Sequence, residues 1–345
     1  MNIVVLAGGL SPERDVSFSS GTMACNALIG LGHHAVLIDL FFGVPDWDGT
    51  DRIFENASLR EPYRITASEP DLKAIRASRK KGYNEYIGLN VPEICQRADI
   101  VYMALHGDCG ENGKLQALFD SLGIRYTGSG ADACAKAMDK WVSKDIFKKA
   151  GLRCPKGVRL EKWQPIDADA LPMPCVVKPC CGGSSIGVSI VHERSALHAA
   201  LEAAFAVEPV ILVEEYIRGR ELSCGVLGDT VLPPIEIIPL QGFYDYKNKY
   251  QAGATKEITP AEIDPASTAK IQADAKKGFA ALGLAVYGRL DFLLTEQGEA
   301  YCLEANTLPG LTPTSLLPQE AAAIGIDYPS LCSEIIRLSL EKTNG

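Results

Sequence analysis

No apolar run in the 345-residue chain is long enough to cross a bilayer. The first residues, Met1-Asn-Ile-Val-Val-Leu-Ala7, carry no basic segment and meet Gly8-Gly9 too early for a secretion signal. Excess positive charge is missing too: 34 Lys and Arg stand against 43 Asp and Glu, a net charge of −9. That balance argues against nucleic acid or an anionic membrane as the main partner. The 11 cysteines are odd in number and include no Cys-x-x-Cys pair. Neither a disulfide framework nor a zinc site follows, and reduced thiols in a cytoplasm are the expectation. Gly-x-Gly-x-x-Gly is absent, and so is a Walker A loop. What remains is an ordinary globular composition, 47% hydrophobic and 22% charged, in a chain long enough for two or three domains.

The chain opens as strand, loop, helix and strand: Ile3–Ala7, then Gly8–Arg14, then about Val16–Leu31, then Ala35–Leu40. This order predicts a parallel α/β domain with a ligand loop at a strand's C-terminal end. Residues 41–97 are polar and turn-rich and read as a solvated face, with a basic cluster at Arg76, Arg79, Lys80 and Lys81. Asp99–Leu105 is a strand running into His106-Gly-Asp-Cys-Gly-Glu-Asn-Gly113, a glycine-rich loop at a strand's C-terminal end that makes His106 a candidate ligand contact against the structural role usual for a lone histidine. Lys114–Leu122 reads as helix, Ile124–Gly130 as strand and turn, and Ala131–Ala150 as one helix with Lys140 and Lys144 a turn apart.

From Gly151 the pattern becomes antiparallel, with strands at Cys175–Lys178, Val188–Val191, Val210–Ile217, Glu221–Leu227 and Val231–Ile238. Helices are expected at Ser195–Ala206, Pro265–Leu282 and about Ser330–Lys342. Pro179-Cys-Cys-Gly-Gly-Ser-Ser-Ile-Gly187 offers backbone N–H groups and two hydroxyls that can wrap phosphates, with Lys178 at its base. Its competing reading is a mobile hairpin tip. The irregular stretch 240–259, dense in Tyr and Lys, is more in keeping with function than with idle loop.

A hairpin near the C-terminus carries the clearest chemistry. Arg289–Thr295 and Ala300–Asn306 alternate polar and apolar residues around Gln297-Gly298. A two-residue loop would pair 296 with 299, setting Asp291 opposite Glu304 and Arg289 opposite Asn306. Leu290, Phe292, Leu294, Tyr301 and Leu303 would then face a core. Facing carboxylates repel, and a cation between them removes that cost. Oxygen ligands alone suit Mg²⁺ better than Zn²⁺, and so small a ligand set usually shares its ion with phosphates. The competing reading is a solvated face on which Arg289 neutralises the carboxylates.

Taken together, the motifs resemble the ATP-grasp superfamily and, within it, the D-alanine–D-alanine ligases. They are Gly8-Gly9 with Glu13, His106-Gly107 with Gly110-Glu111, Met138-Asp139-Lys140, Ser184-Ser185, Tyr244-Asp245-Tyr246 through Lys249-Tyr250, and Glu304-Ala-Asn306 with Pro309-Gly310. The likeness covers all but about 41–98. It implies an N-terminal parallel α/β domain (1–130) followed by a two-subdomain ATP-grasp fold (131–221 and 222–345). It also implies a cytoplasmic homodimer that uses ATP and two Mg²⁺ (or Mn²⁺) to join two D-alanines through a D-alanyl phosphate. Lys140, Lys178, Ser185 and Lys249 would contact the nucleotide's phosphates. Glu214, Glu215 and Ile217 would read adenine, and Glu221 the ribose. Asp291, Glu304 and Asn306 would hold the metal ions. Glu13 would hold the first D-alanine's ammonium with His106 close by, and Ser184 would link Glu13 to Tyr250. Arg289 and the Gly310 N–H would stabilise oxyanion charge, and Ser315 with the Leu316 N–H would bind the second carboxylate. Cys180-Cys181 departs from the polar or charged pair usual in this loop, and Asn112 stands where Asp is usual. The alternatives are a ligase for D-serine or D-lactate as acceptor and, from another class, a nucleotide-binding protein without ligase activity.

Overall fold

The computed structural model describes residues 1–55, 58–65, 70–240 and 254–342. Three sheets organise them. The first is parallel: β1 (Asn2–Ala7) lies between β2 (His34–Asp39) and β3 (Ile100–Met103). Ile3 to Ala7 is an unbroken apolar run because β1 is central and covered on both faces, every one of its residues from Ile3 on being fully buried. The expected strand after Ile124 shrinks to a single bridge between Tyr126 and Val101. Backbone bonds tie Arg125 and Thr127 to Val101, and the Thr127 hydroxyl accepts from the Met103 N–H, so this short piece finishes the sheet edge.

The second sheet is antiparallel, in the order β4 (Gly157–Glu161), β7 (Val210–Glu215), β5 (Cys175–Pro179), β6 (Ser189–Val191). The third runs β11 (Thr255–Ile258), β10 (Ile235–Pro239), β8 (Arg220–Leu227), β12 (Tyr287–Leu294), β13 (Ala300–Asn306), with the short β9 (Thr230–Val231) on β8. Pro233 and Pro234 split the run expected as one strand from Val231 into β9 and β10, since proline has no N–H for the ladder.

The hairpin register holds at the site, but by a different route. Thr295 and Glu299 close a three-residue loop with Gly298 at φ +76°, one residue off the expected pairing. A bulge between Asp291 and Phe292 on the pairing ladder then restores Asp291↔Glu304 and Arg289↔Asn306. Leu290, Phe292 and Leu294 do face the core. Tyr301 and Leu303 do not: beyond the bulge the faces exchange, and Ala300 and Cys302 are the buried residues.

Two further expectations need correction. The helix Ala131–Ala150 is two helices, Ala131–Met138 and Lys140–Lys149. Asp139 leaves the helical region (ψ 104°), and its carboxylate accepts the N–H groups of Trp141 and Val142, so it caps the second helix. The stretch 41–97 is not wholly solvated. It supplies Phe41, Phe54, Ile87, Val91, Ile94 and Cys95 to the core, and Arg79 lies 4.1 Å over the Phe41 ring. Those apolar residues follow no single period, which is why they read as loop.

One buried cluster joins the N-terminal sheet to Tyr287, Leu308, Leu317 and the closing helix Tyr328–Glu341. Ile335 sits in it with no exposure. Ile335→Ala is expected to cost about 2–5 kcal/mol, read as a lower midpoint in urea unfolding; an unchanged midpoint would contradict that packing.

Candidate active site

Two cavities open between the sheets and share Gly183, Ser184 and Glu304 as a common wall. The larger, about 490 Å³, lies between the second and third sheets. That is within the usual size of a small-molecule site. It is lined by Lys140, Lys178, Ser184, Ser185, Glu214, Glu215, Ile217, Glu221, Asp291 and Glu304 among others. The smaller, about 180 Å³, is lined by Glu13, His106, Glu111, Glu257, Arg289, Asn306, Gly310, Ser315 and Leu316 among others. Every site residue expected from the sequence that is described therefore borders one of the two. Lys249 and Tyr250 lie outside the described residues.

The loop between β5 and β6 forms the shared wall. Ser184 (φ 50°) and Ser185 (φ 58°) adopt left-handed backbone that only glycine takes without strain. That geometry turns the Ser184 hydroxyl onto Glu13 Oε1, so the Glu13–Ser184 half of the expected link is present.

Charge in the larger cavity is arranged in pairs. Lys144 and Lys178 flank Glu214, at 2.7 and 2.8 Å from its two oxygens, and all three are almost fully buried. Burial alone would raise the Glu214 pKa; Lys178 and Lys144 outweigh it and bring it to about 2. Glu214 was expected to read adenine. Its carboxylate also holds two lysines, one on each oxygen, while it lines the cavity. Lys144 was noted only as a neighbour of Lys140; its part in this triad depends on the Asp139 cap, which the sequence did not reveal. Burial lowers the Lys178 pKa, with Glu214 opposing. Glu215 Oε1 accepts the Lys156 N–H at 2.8 Å, a strand-edge contact.

At the hairpin, Asp291 is gripped by Arg289 through two bonds of 2.9 Å. It also accepts from Ser223 at 2.8 Å and Asn306 at 3.0 Å. The arginine contact is the one named above as the competing reading. Glu304 is paired with Lys140 Nζ at 3.2 Å, and that ammonium also donates to the Gly182 carbonyl at 2.5 Å. Burial would lower the Lys140 pKa, but Glu304 beside it turns the shift upward. Among the described residues lining the larger cavity, six carboxylates (Glu214, Glu215, Glu221, Glu236, Asp291, Glu304) outnumber three cations (Lys140, Lys178, Arg220). Lys144 and Arg289, paired with Glu214 and Asp291 from beside that lining, bring the cations to five, so little positive charge is left over for a polyanion, and a divalent cation would supply it. Oxygen donors on Asp291, Glu304 and Asn306 fit Mg²⁺ or Mn²⁺ in chemistry.

In the smaller cavity, His106 is buried and both ring nitrogens are taken. Nδ1 lies 2.9 Å from the Leu308 carbonyl, which can only accept, so Nδ1 carries the proton. Nε2 then accepts from the Ser20 hydroxyl at 3.1 Å. Burial pushes its pKa down, so it stays neutral. His106 thus anchors the Leu308–Leu311 segment. Gly310 packs closely on Ser315: a Cβ added to it would come 2.8 Å from Ser315 Oγ, so that side chain would have to shift. Glu111 accepts the Gly107 N–H at 2.8 Å and the Leu308 N–H at 3.2 Å, and it was not among the expected site residues. Burial and the neighbouring Glu13 carboxylate push its pKa up to about 7. Its place in a glycine-rich loop beside His106 was the available signal. Glu320, fully buried on the helix Leu316–Ala322, was also missed; burial drives its pKa far upward, so it is held neutral.

The model of the D-ala D-ala ligase N-terminus matches residues 2–129, and that of the D-ala D-ala ligase C-terminus matches residues 148–337. The D-alanine–D-alanine ligase of Pediococcus pentosaceus is 44% identical over 343 residues, covering 97% of each chain. That of Lacticaseibacillus casei is 42% identical over 345 residues, 99% of this chain and 96% of the relative. The crystal structure of the D-alanine–D-alanine ligase from Bacillus anthracis complexed with ATP has a TM-score of 0.76 at 29% identity, covering 99% of this chain and 98% of that one. The VanG D-Ala:D-Ser ligase from Enterococcus faecalis has a TM-score of 0.74 at 29% identity, covering 98% and 99%.

Glu111 supplies a pH test. Its folded pKa, about 7, lies above the ordinary 4.5, so the stability it contributes is full below about pH 4.5 and is lost as pH rises through about 7. Glu111→Gln cannot ionise. Thermal midpoints of the two proteins are expected to diverge in the variant's favour between about pH 5 and about pH 8; parallel curves would show that Glu111 titrates normally.

Proposed function

The chain belongs to the D-alanine–D-alanine ligase family, and from that premise we propose that it joins two D-alanines at the expense of ATP, through a D-alanyl phosphate. The observation that supports this most is the shared wall. A cavity of nucleotide size meets a smaller one holding Glu13, Arg289, Gly310 and Ser315, and Ser184 and Glu304 belong to both. Phosphoryl transfer needs little covalent help from the protein; it needs positioning and charge neutralisation at one place.

The nucleotide occupies the larger cavity, with Lys140, Lys178, Lys249 and the Ser184-Ser185 backbone on its phosphates and Glu215, Ile217 and Glu221 along its outer end. Asp291, Glu304 and Asn306 hold two Mg²⁺ or Mn²⁺ ions, which supply the positive charge that the acidic lining and the phosphates both require. Glu13, held by Ser184, receives the first D-alanine's ammonium, and Arg289 and the Gly310 N–H face the oxyanion. The Ser315 hydroxyl and Leu316 N–H take the second carboxylate. Glu111 lines the smaller cavity beside Glu13 and is our candidate for the proton acceptor that the attacking amine needs, with burial and Glu13 raising its pKa toward neutrality. Tyr250 would close the site over Ser184, keeping water from the acyl phosphate. We further propose the division 1–130, 131–221 and 222–345, a homodimer, and a cytoplasmic setting. Among the described residues, no helix is long and apolar enough to cross a membrane.

Purified protein with ATP and Mg²⁺ is expected to release ADP only when D-alanine is added; ATP binding without ADP release would leave a nucleotide-binding protein instead. The similarity to a D-Ala:D-Ser ligase makes acceptor choice a separate question. With D-alanine, D-serine and D-lactate offered together, D-alanyl-D-alanine should dominate the products; D-alanyl-D-lactate or D-alanyl-D-serine in excess would overturn the acceptor. Asp291→Asn and Glu304→Gln are each expected to lower kcat by at least about a hundredfold with unchanged circular dichroism, and near-normal rates would remove the metal assignment.

A further inference from the structure

Cys180 and Cys181 form the one adjacent cysteine pair in the chain, at the root of the loop that carries Ser184 and Ser185. Their spacing pointed to no metal site. The fold supplies the missing ligand from 41 residues away: the Cys180 thiol donates to Asp139 Oδ1 at 3.1 Å. One donor atom each from Asp139, Cys180 and Cys181 lie within 4.8 Å of one another. Cys180 is buried, and Cys181 and Asp139 are half-buried.

We propose that Asp139, Cys180 and Cys181 form a binding site for a thiophilic divalent cation, Zn²⁺ being the type, distinct from the oxygen-only set on the hairpin. Two thiolates and a carboxylate give three protein ligands, and water completes a tetrahedron. Sulfur donors select Zn²⁺ over Mg²⁺, so the two sites sort their ions by ligand chemistry. On binding, two S–H bonds break, two metal–sulfur bonds form, and two protons pass to the buffer, so affinity rises with pH. No electrons move.

The position gives the site a consequence. Asp139 caps the helix that carries Lys140 and Lys144. The Lys140 N–H donates to the Cys180 carbonyl at 3.0 Å, and its ammonium reaches Gly182. An ion held here ties the loop root to that helix and, because two protons leave as it binds, does so with no change of net charge beside Lys140. Occupation therefore slows turnover; this part rests on the ligase reading above, whereas the binding does not.

The test uses the full-length protein without a polyhistidine tag. Co²⁺ is titrated as a spectroscopic probe, and Zn²⁺ is titrated against a chromophoric chelator. Stoichiometric binding with a sulfur-to-cobalt charge-transfer band is expected. The Cys180→Ala/Cys181→Ala variant should lose the band and bind Zn²⁺ at least about tenfold more weakly. No band, or equal Zn²⁺ affinity in the variant, overturns the site. ADP release should fall as the site fills in the wild type and resist Zn²⁺ in the variant; a filled site with an unchanged rate overturns the coupling to the loop.

Discussion

Asp291 and Glu304 face each other across β12 and β13, and each is held by a cation of the protein, Arg289 for one and Lys140 for the other. Two carboxylates at that spacing are tolerable only when something positive stands beside them. In the proposed function the same arginine and lysine have a second task, at the reacting oxyanion and at the phosphates. On that proposal Asp291 and Glu304 would hold the divalent cations, whose charge would replace that of Arg289 and Lys140 and leave both side chains for the ligand. The resting ion pairs and the working site are then two occupancies of one charge balance. On this account the Arg289–Asp291 contact is the pair's resting state rather than an argument against metal.

The fold serves that balance by bringing distant segments to one wall. The hairpin bulge keeps Asp291 opposite Glu304. The Asp139 cap starts a helix whose first residue, Lys140, reaches Glu304 and Gly182. One turn on, Lys144 joins Lys178 around Glu214. Ser184, in strained backbone, is pulled onto Glu13 from the N-terminal part of the chain. His106 fixes the segment containing Gly310 through Leu308. Apart from the bulge and the cap, which are local, these contacts join elements far apart in sequence, so the site's geometry is inherited from the packing of all three sheets.

Some of this was legible in the residues and some was not. Helices Lys114–Leu122 and Pro265–Leu282 and strand β1 could be read directly, because capping residues, turn residues and apolar period agree there. The facing pair Asp291 and Glu304 was legible too, although the loop was misjudged by one residue and a bulge compensated. Bulges follow from cross-strand fit, which a single strand's pattern does not contain. The break at Asp139 was missed because aspartate is tolerated inside a helix, and only its backbone angle shows that it caps one. Glu111 was missed, and the two lysines around Glu214 were not foreseen, for a related reason. Their roles depend on which lysines or N–H groups stand nearby in space, and adjacency of that kind is set by the fold. The core contributed by 41–97 had no period to reveal it.

The central claim is that the nucleotide binds by exchanging protein cations for metal ions at Asp291 and Glu304. Calorimetric titration with ATP, in Mg²⁺ and again with Mg²⁺ replaced by a chelator, tests it without requiring turnover. The account predicts affinity higher by more than about tenfold with Mg²⁺, and loss of that difference in Asp291→Asn. Equal affinity in both buffers would mean that the carboxylates keep Arg289 and Lys140 throughout, and would contradict it.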